Sequence, residues 1–223
     1  GPGNVGGRIR TIVIDPLNTN SMWIGSVLGG TWHSTNAGAA WSPVNDFMAN
    51  LAVSTMVIDP TNSNILYAGT GESFGTDLTA TEGELNISDK QRGDGIFKSI
   101  DGGITWNQLS RTNTADATVC PAAGPACPWS YVNRLTISPD GTTIVAATLT
   151  GLFRSVDGGA NWTLTTAGLR SYLDADFDPT NSQRAIASGT GGFVSVFSTN
   201  GGQSWQNAAY TPAISLGGST GRI

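Results

Sequence analysis

Charge is scarce in this sequence. Asp, Glu, Lys and Arg make up only 12% of its 223 residues, about half of the ~25% usual in soluble domains. Bases are scarcer still: two Lys and nine Arg face 16 acids, for a net charge of -5. No basic stripe results, so nucleic acid is excluded as the main partner, since tracking a phosphate backbone needs clustered Lys and Arg. Low charge combined with 39% hydrophobic residues also excludes disorder driven by charge. No apolar run approaches the ~20 residues of a bilayer-spanning helix, and no membrane span is expected. With one His and two Cys, the four ligands of a structural zinc site cannot be assembled from soft donors. A helical period is missing throughout. So are an initial Met and a secretory leader, and the chain is read as processed or as a piece of a longer polypeptide.

What the sequence has instead is Gly, 30 residues of it, arranged in repeats. One signal is a β-rich run ending in Asp-Pro or a relative: Thr11 to Pro16, Thr55 to Pro60, Arg134 to Pro139 and Asp174 to Pro179. The other is Ser, then Asp or Asn, then Gly and Trp. Its copies are Ser34, Asn36, Gly38, Trp41; Ser99, Asp101, Gly103, Trp106; Ser155, Asp157, Gly159, Trp162; and Ser198, Asn200, Gly202, Trp205. The signals alternate strictly, four of each, and mark four structural units. Each unit holds four short strands in roughly 40 residues, such as Met22 to Ser26 and Thr31 to Ser34 in the first. That pattern predicts an all-β fold, a β-propeller of four-stranded antiparallel blades. Blades are expected at about 7–47, 50–112, 131–168 and 170–208. Gly221, Arg222 and Ile223 repeat Gly7, Arg8 and Ile9, so the first strand of a fifth blade is expected from about 219, in a fragment of a larger propeller.

Both signals have a mechanical reading. Pro presets φ for a tight turn, and the preceding Asp side chain bonds backbone two residues on. In the Ser-x-Asp-x-Gly-x-x-Trp box, Asp accepts backbone N–H groups, Gly takes positive φ and Trp packs between sheets. Asn stands for Asp in two copies, which an acceptor tolerates and an acid–base catalyst does not. The box carboxylates are therefore read as structural.

Two insertions, Gly71 to Gly95 and Ser110 to Ser130, fall on loops that share one propeller face, beside the strands that line the channel. Long loops on a rigid scaffold commonly carry binding, which makes that face the candidate site. The first insertion holds Glu72, Asp77, Glu82, Glu84, Asp89 and Asp94 against Lys90 and Arg92, four of the five net negative charges. Asp77, Glu82, Glu84 and Asp89 are oxygen donors of the kind Ca²⁺ takes, although the spacing fits no EF-hand and a solvated acidic loop accounts for them equally. No other cofactor is implied. In the second insertion, Cys120 and Cys127 enclose a Gly/Pro-rich segment and are expected to form a disulfide in an oxidising compartment. At the channel mouth stand Arg8, Arg10, Asn50, Tyr131, Asn133, Tyr172 and Arg222. Arg can clamp a carboxylate and Tyr can stack on a sugar ring, so Arg8, Arg10, Tyr131, Asn133 and Tyr172 are the ligand-binding candidates.

The four boxes resemble those of the Asp-box, or BNR-repeat, β-propellers, found in sialidases, in sortilin-type receptors and in xyloglucanase-type glycoside hydrolases. Gly1 to Ile9 and Leu66 to Glu72 look most like large secreted bacterial sortilin-like repeat proteins. For the sialidases the resemblance implies an Arg triad, a Tyr nucleophile with a Glu partner, and an acid. Arg8-Ile9 resembles the start of their Arg-Ile-Pro motif, but Arg10 replaces the Pro. For the xyloglucanases it implies a catalytic Asp just ahead of a Gly-Gly pair, where this sequence has Val27 ahead of Leu28, Gly29 and Gly30. Val27 cannot transfer protons.

The functional expectation is a secreted, extracellular or cell-surface propeller, with a periplasmic location as the variant. It binds glycan, peptide or protein, or joins the rest of its own chain in a larger assembly, without catalysis of its own. Glycoside hydrolysis is the alternative, with Glu72 and Asp94 as the first catalytic suspects. Peptide capture in a receptor-like channel is the third reading.

Overall fold

The computed structural model describes residues 8–27, 29–44, 52–73, 91–120, 127–167, 170–190 and 195–209. They form four antiparallel sheets of four strands, each laid out in chain order. Blade one holds β1 (Arg8–Ile14), β2 (Met22–Val27), β3 (Gly30–Ser34) and β4 (Ser42–Pro43). Blade two holds β5 (Val53–Asp59), β6 (Asn62–Thr70), β7 (Ile96–Ser99) and β8 (Asn107–Gln108). Blade three holds β9 (Val132–Ile137), β10 (Ile144–Thr148), β11 (Gly151–Ser155) and β12 (Thr163–Leu164). Blade four holds β13 (Tyr172–Asp178), β14 (Asn181–Gly189), β15 (Ser195–Ser198) and β16 (Gln206–Asn207). Asn50, Asp77, Glu82, Glu84, Asp89, Arg222 and the expected start of a fifth blade lie outside the described residues.

The Asp-Pro signals close the first hairpins. Asp59 pairs with Asn62 and Asp178 with Asn181 across two-residue loops. The Asp59 and Asp178 carboxylates each accept the N–H two residues on, from Thr61 and Thr180, at 2.8 Å. This is the side-chain-capped turn that Asp favours.

The second signal forms one turn four times over. The hydroxyl of its Ser is buried and accepts the Gly N–H at 2.9 Å in Gly38, 2.8 Å in Gly103, 2.9 Å in Gly159 and 2.9 Å in Gly202. It donates in turn to the side-chain oxygen of Asn36, Asp101, Asp157 or Asn200. That oxygen accepts a second N–H, from Ala40, Thr105, Asn161 or Ser204. Acceptance holds the Asp101 and Asp157 carboxyls below the ordinary carboxylate value, chiefly through bonds from Thr105 and from the Asn161 backbone. A group stabilised as an anion by donors is a poor proton source.

Apolar residues meet between blades. Val13 and Trp23 of blade one pack with Met56, Ile58, Leu66, Ala68, Phe97 and Trp106 of blade two. Tyr67 and Ile96 of blade two pack with Leu135, Ile144 and Ala146 of blade three. Val145 and Ala147 of blade three pack with Ala175, Phe177, Ala185 and Ala187 of blade four. The box indoles differ in burial: Trp106 is buried, whereas Trp41, Trp162 and Trp205 are half-buried. Between the inner strands, hydroxyls satisfy edge N–H groups that a sheet edge otherwise leaves open. Met56 N–H donates to Thr11 Oγ1 at 3.1 Å, Leu135 N–H to Thr55 Oγ1 at 2.9 Å and Phe177 N–H to Thr136 Oγ1 at 3.3 Å.

Candidate functional site

The inner strands set the site, because each blade's first strand begins at the same rim. Arg8 and Arg10 open β1, with a register shift between Ile9 and Thr11. Glu72 lies just beyond β6, where Gly71 turns the chain at φ +88° against the Ser130 carbonyl. A Cβ there would sit 2.1 Å from that carbonyl oxygen, so only Gly allows the approach. The Glu72 N–H bonds the Gln91 carbonyl at 2.7 Å, which pins the residue against the returning end of the first insertion.

Glu72 is an ion-pair hub. Its side chain is 3% exposed and meets two guanidinium groups of blade one. Arg8 Nη2 donates to Oε2. Arg10 Nε stands 2.9 Å from Oε1, off the line of a hydrogen bond. A buried carboxylate needs such partners, since desolvation without them is costly. The next residue continues the belt: Ser73 Oγ donates to Asn133 Oδ1 at 2.6 Å, and Asn133 Nδ2 donates to the Tyr172 carbonyl at 2.8 Å. A polar belt thus crosses from blade one through blades two and three to blade four.

The described ends of the two insertions meet beside this belt. Gly93 N–H bonds the Ser130 carbonyl at 2.8 Å and Gly95 N–H the Trp129 carbonyl at 3.1 Å. Asp94 is wedged between them: its N–H donates to Thr70 Oγ1 at 2.8 Å, its carboxylate accepts from Thr114 Oγ1 at 2.5 Å, and its carbonyl accepts from Gln108 Nε2 at 2.6 Å. Cys120 and Cys127 are joined in a disulfide, and both pack with Trp129 in the cluster between blades two and three.

The rim aromatics are covered. Tyr131 and Tyr172 are 7% and 3% exposed, and burial pushes both phenols above their ordinary value of 10.0. So covered, neither ring offers a face for stacking. Asn133 is likewise buried and committed within the belt. Arg8 is the open member, with its side chain 62% exposed. Val27, which stands where the xyloglucanase resemblance implies an acid, pairs directly with Arg8 across β1 and β2.

Sequence reasoning singled out Arg8, Arg10, Glu72 and Asn133 separately. The structure brings the first three into one cluster and ties Asn133 to it through Ser73, a residue with no signal of its own because its partner lies 60 positions away. Among the described residues no group of three or more His, Cys, Asp and Glu is placed to hold a metal ion.

Comparison with solved structures fits this geometry. A GH74 enzyme of Niastella koreensis superposes with a TM-score of 0.62 at 21% identity, over 88% of this chain and 28% of that one. The four sheets are blades of a β-propeller. The GH74 xyloglucanase from Xanthomonas campestris gives a TM-score of 0.60 at 16% identity, over 92% of this chain and 31% of its own. The extracellular domain of a hybrid two-component system from B. thetaiotaomicron gives 0.59 at 13% identity, over 91% and 22%. The propeller arc therefore spans less than a third of each of these proteins, and at such identities the likeness is one of fold. No protein family matches the sequence, and no curated protein does. Among the described residues, no helix is long and apolar enough to cross a membrane.

Proposed function

We propose that this propeller is an extracellular binding or structural module of the Asp-box type, which engages glycan or protein at the rim and performs no catalysis itself. The observation that carries the reading is the state of Glu72. Its buried carboxylate is paired with Arg8 and Arg10 of the same chain, so the acid best placed at the rim is already committed to a structural contact. Asp94 is similarly occupied by Thr114, and Tyr131 and Tyr172, with phenols raised by burial, are the reverse of an activated nucleophile. What the rim offers a ligand is the exposed guanidinium of Arg8, suited to a carboxylate or to sugar hydroxyls. The Cys120–Cys127 disulfide supports an oxidising, extracellular location.

The alternative, glycoside hydrolysis, is favoured by the GH74 enzymes among the similar structures. It requires two carboxylates flanking a glycosidic bond. One experiment separates the readings: the purified chain is titrated calorimetrically with polysaccharides and extended peptides, and reducing-sugar release is followed in parallel. Saturable heat that Arg8→Ala weakens, with no sugar release, is the expected result. Sugar release abolished by Glu72→Gln or Asp94→Asn would replace this reading with the hydrolytic one.

A further inference from the structure

Blades three and four each turn two corresponding side chains toward the blade before: the residue two ahead of the box Ser, and the box Trp. In blade three these are Phe153 and Trp162. Trp129, from the second insertion, is seated on both, with ring centroids 4.8 Å from Phe153 and 5.4 Å from Trp162. Leu109, which follows the last strand of blade two, packs in the same cluster. That junction is filled with apolar side chains.

At the junction of blades three and four the corresponding pair is Val196 and Trp205. The chain passes directly from Thr165 to Ser171 without an insertion, and among the described residues nothing takes the part of Trp129. Thr165 stands where blade two has Leu109. Asn207, paired with Val196, stands where blade three has Leu164 paired with Phe153. What remains is a hollow of about 250 Å³, lined by Thr165, Thr166, Arg170, Tyr172, Trp205 and Asn207 together with Val196. Both of its walls are blades of this chain.

The exchange also changes the chemistry of the junction. Trp106 and Trp162 each donate the indole N–H to a carbonyl of their own turn, Gly103 at 3.0 Å and Gly159 at 3.1 Å. Trp205 donates across the junction instead, to Thr165 Oγ1 at 3.0 Å. That hydroxyl passes its own proton to the Leu152 carbonyl at 3.1 Å. Trp205 is half-buried, Asn207 and Arg170 are exposed, and Arg170 is the one charged residue among those lining the hollow. The space would hold about eight waters at liquid density and is smaller than the ~300 Å³ at which pockets for drug-sized ligands begin, so it suits a single ring. An indole offers an apolar face, a side-chain amide and hydroxyls both donate and accept, and a guanidinium clamps a carboxylate. Together these are the complement of a pyranose ring that carries an acid group. We infer that the hollow between blades three and four is a binding site for one uronic acid residue of a polysaccharide. Arg170 takes the carboxylate, Asn207 takes ring hydroxyls and Trp205 takes the apolar side of the ring. The site shares no residue with the Arg8 cluster and does not rest on it.

The test is heteronuclear NMR on the full 223-residue chain, reading the assigned indole N–H signal of Trp205 while D-galacturonate, D-galactose and acetate are titrated separately. Galacturonate is expected to shift that signal saturably, with a Kd of about 1 mM for a ligand of this size. Galactose should bind at least about tenfold more weakly, and acetate should leave the signal in place. Arg170→Gln should weaken galacturonate at least about tenfold and leave galactose as it was. Asn207→Leu, which sets the residue of blade three in the hollow, should weaken both sugars. Both positions are exposed, so the rest of the amide spectrum should match the parent. The inference is overturned if galacturonate leaves the Trp205 signal unmoved up to about ten times the expected Kd. It is equally overturned if galactose or acetate shifts the signal as strongly, or if either variant binds galacturonate as well as the parent does.

Discussion

Glu72→Gln probes the centre of the rim directly. The substitution keeps the shape of the side chain and removes its charge, leaving Arg10, whose side chain is 12% exposed, beside a neutral amide. Breaking a buried pair by removing one partner costs about 3–5 kcal/mol. The pair with Arg8 adds little, about 0–1 kcal/mol, because that guanidinium is largely in water. The lower end of the sum, about 3 kcal/mol, fits Gln because it still accepts a hydrogen bond. For a chain of this length the loss corresponds to a fall in Tm of about 10 °C. Calorimetric melting of the parent, Glu72→Gln, Arg10→Gln, Arg8→Gln and the two double variants completes the cycles. The coupling between positions 72 and 10 should be several times that between 72 and 8. A Glu72→Gln variant within about 0.5 kcal/mol of the parent, or one more stable than it, would refute the view that the Arg10–Glu72 pair holds blades one and two together. The second outcome is the one expected of a strained catalytic carboxylate.

Other consequences can be checked by the same melting experiments. Gly69→Ala places a Cβ 2.6 Å from Val132 Cγ1 and 2.7 Å from Thr55 Cγ2, and overpacking of this kind should cost about 1–3 kcal/mol; a neutral result would mean that the inner strands are not closely packed there. Asp101→Asn should stay within about 0.5 kcal/mol of the parent, because Asn36 and Asn200 accept the equivalent N–H groups, whereas Asp101→Ala should lose about 1 kcal/mol. His33 stacks on Trp23 at 4.4 Å and shares a 2.8 Å hydrogen bond with Ser21. Burial holds its imidazole below the ordinary 6.5. The unfolded chain therefore binds a proton that the folded chain refuses between that lowered value and 6.5, and stability should fall as pH drops through this window. His33→Gln should flatten that part of the profile, measured by urea unfolding from pH 7.5 to 5 (about two units around the imidazole value).

Much of the architecture was legible in the chain because its turns are chemically explicit. A Ser, an Asp or Asn and a Gly at fixed spacing can satisfy one another's hydrogen bonds locally, so the boxes at Ser34, Ser99, Ser155 and Ser198 declare themselves without tertiary help. The Asp-Pro hairpins at Asp59 and Asp178 do likewise. Glu72, Arg8, Arg10 and Asn133 were visible as polar residues near strand starts. Their joining into a belt was not, because Arg8 and Glu72 lie 64 positions apart and a salt bridge leaves no local pattern. Tyr131 and Tyr172 illustrate the opposite limit: at the mouth by sequence position, they are covered by neighbours that only packing brings there.

The residues alone thus determined the turns and the roles of the box side chains, whose bonds close within four positions, and the fourfold recurrence of those turns marked out four blades. The tertiary structure decided which rim charges neutralise each other and how deeply each indole is buried. Those outcomes depend on contacts between blades, where burial sets the strength of an ion pair.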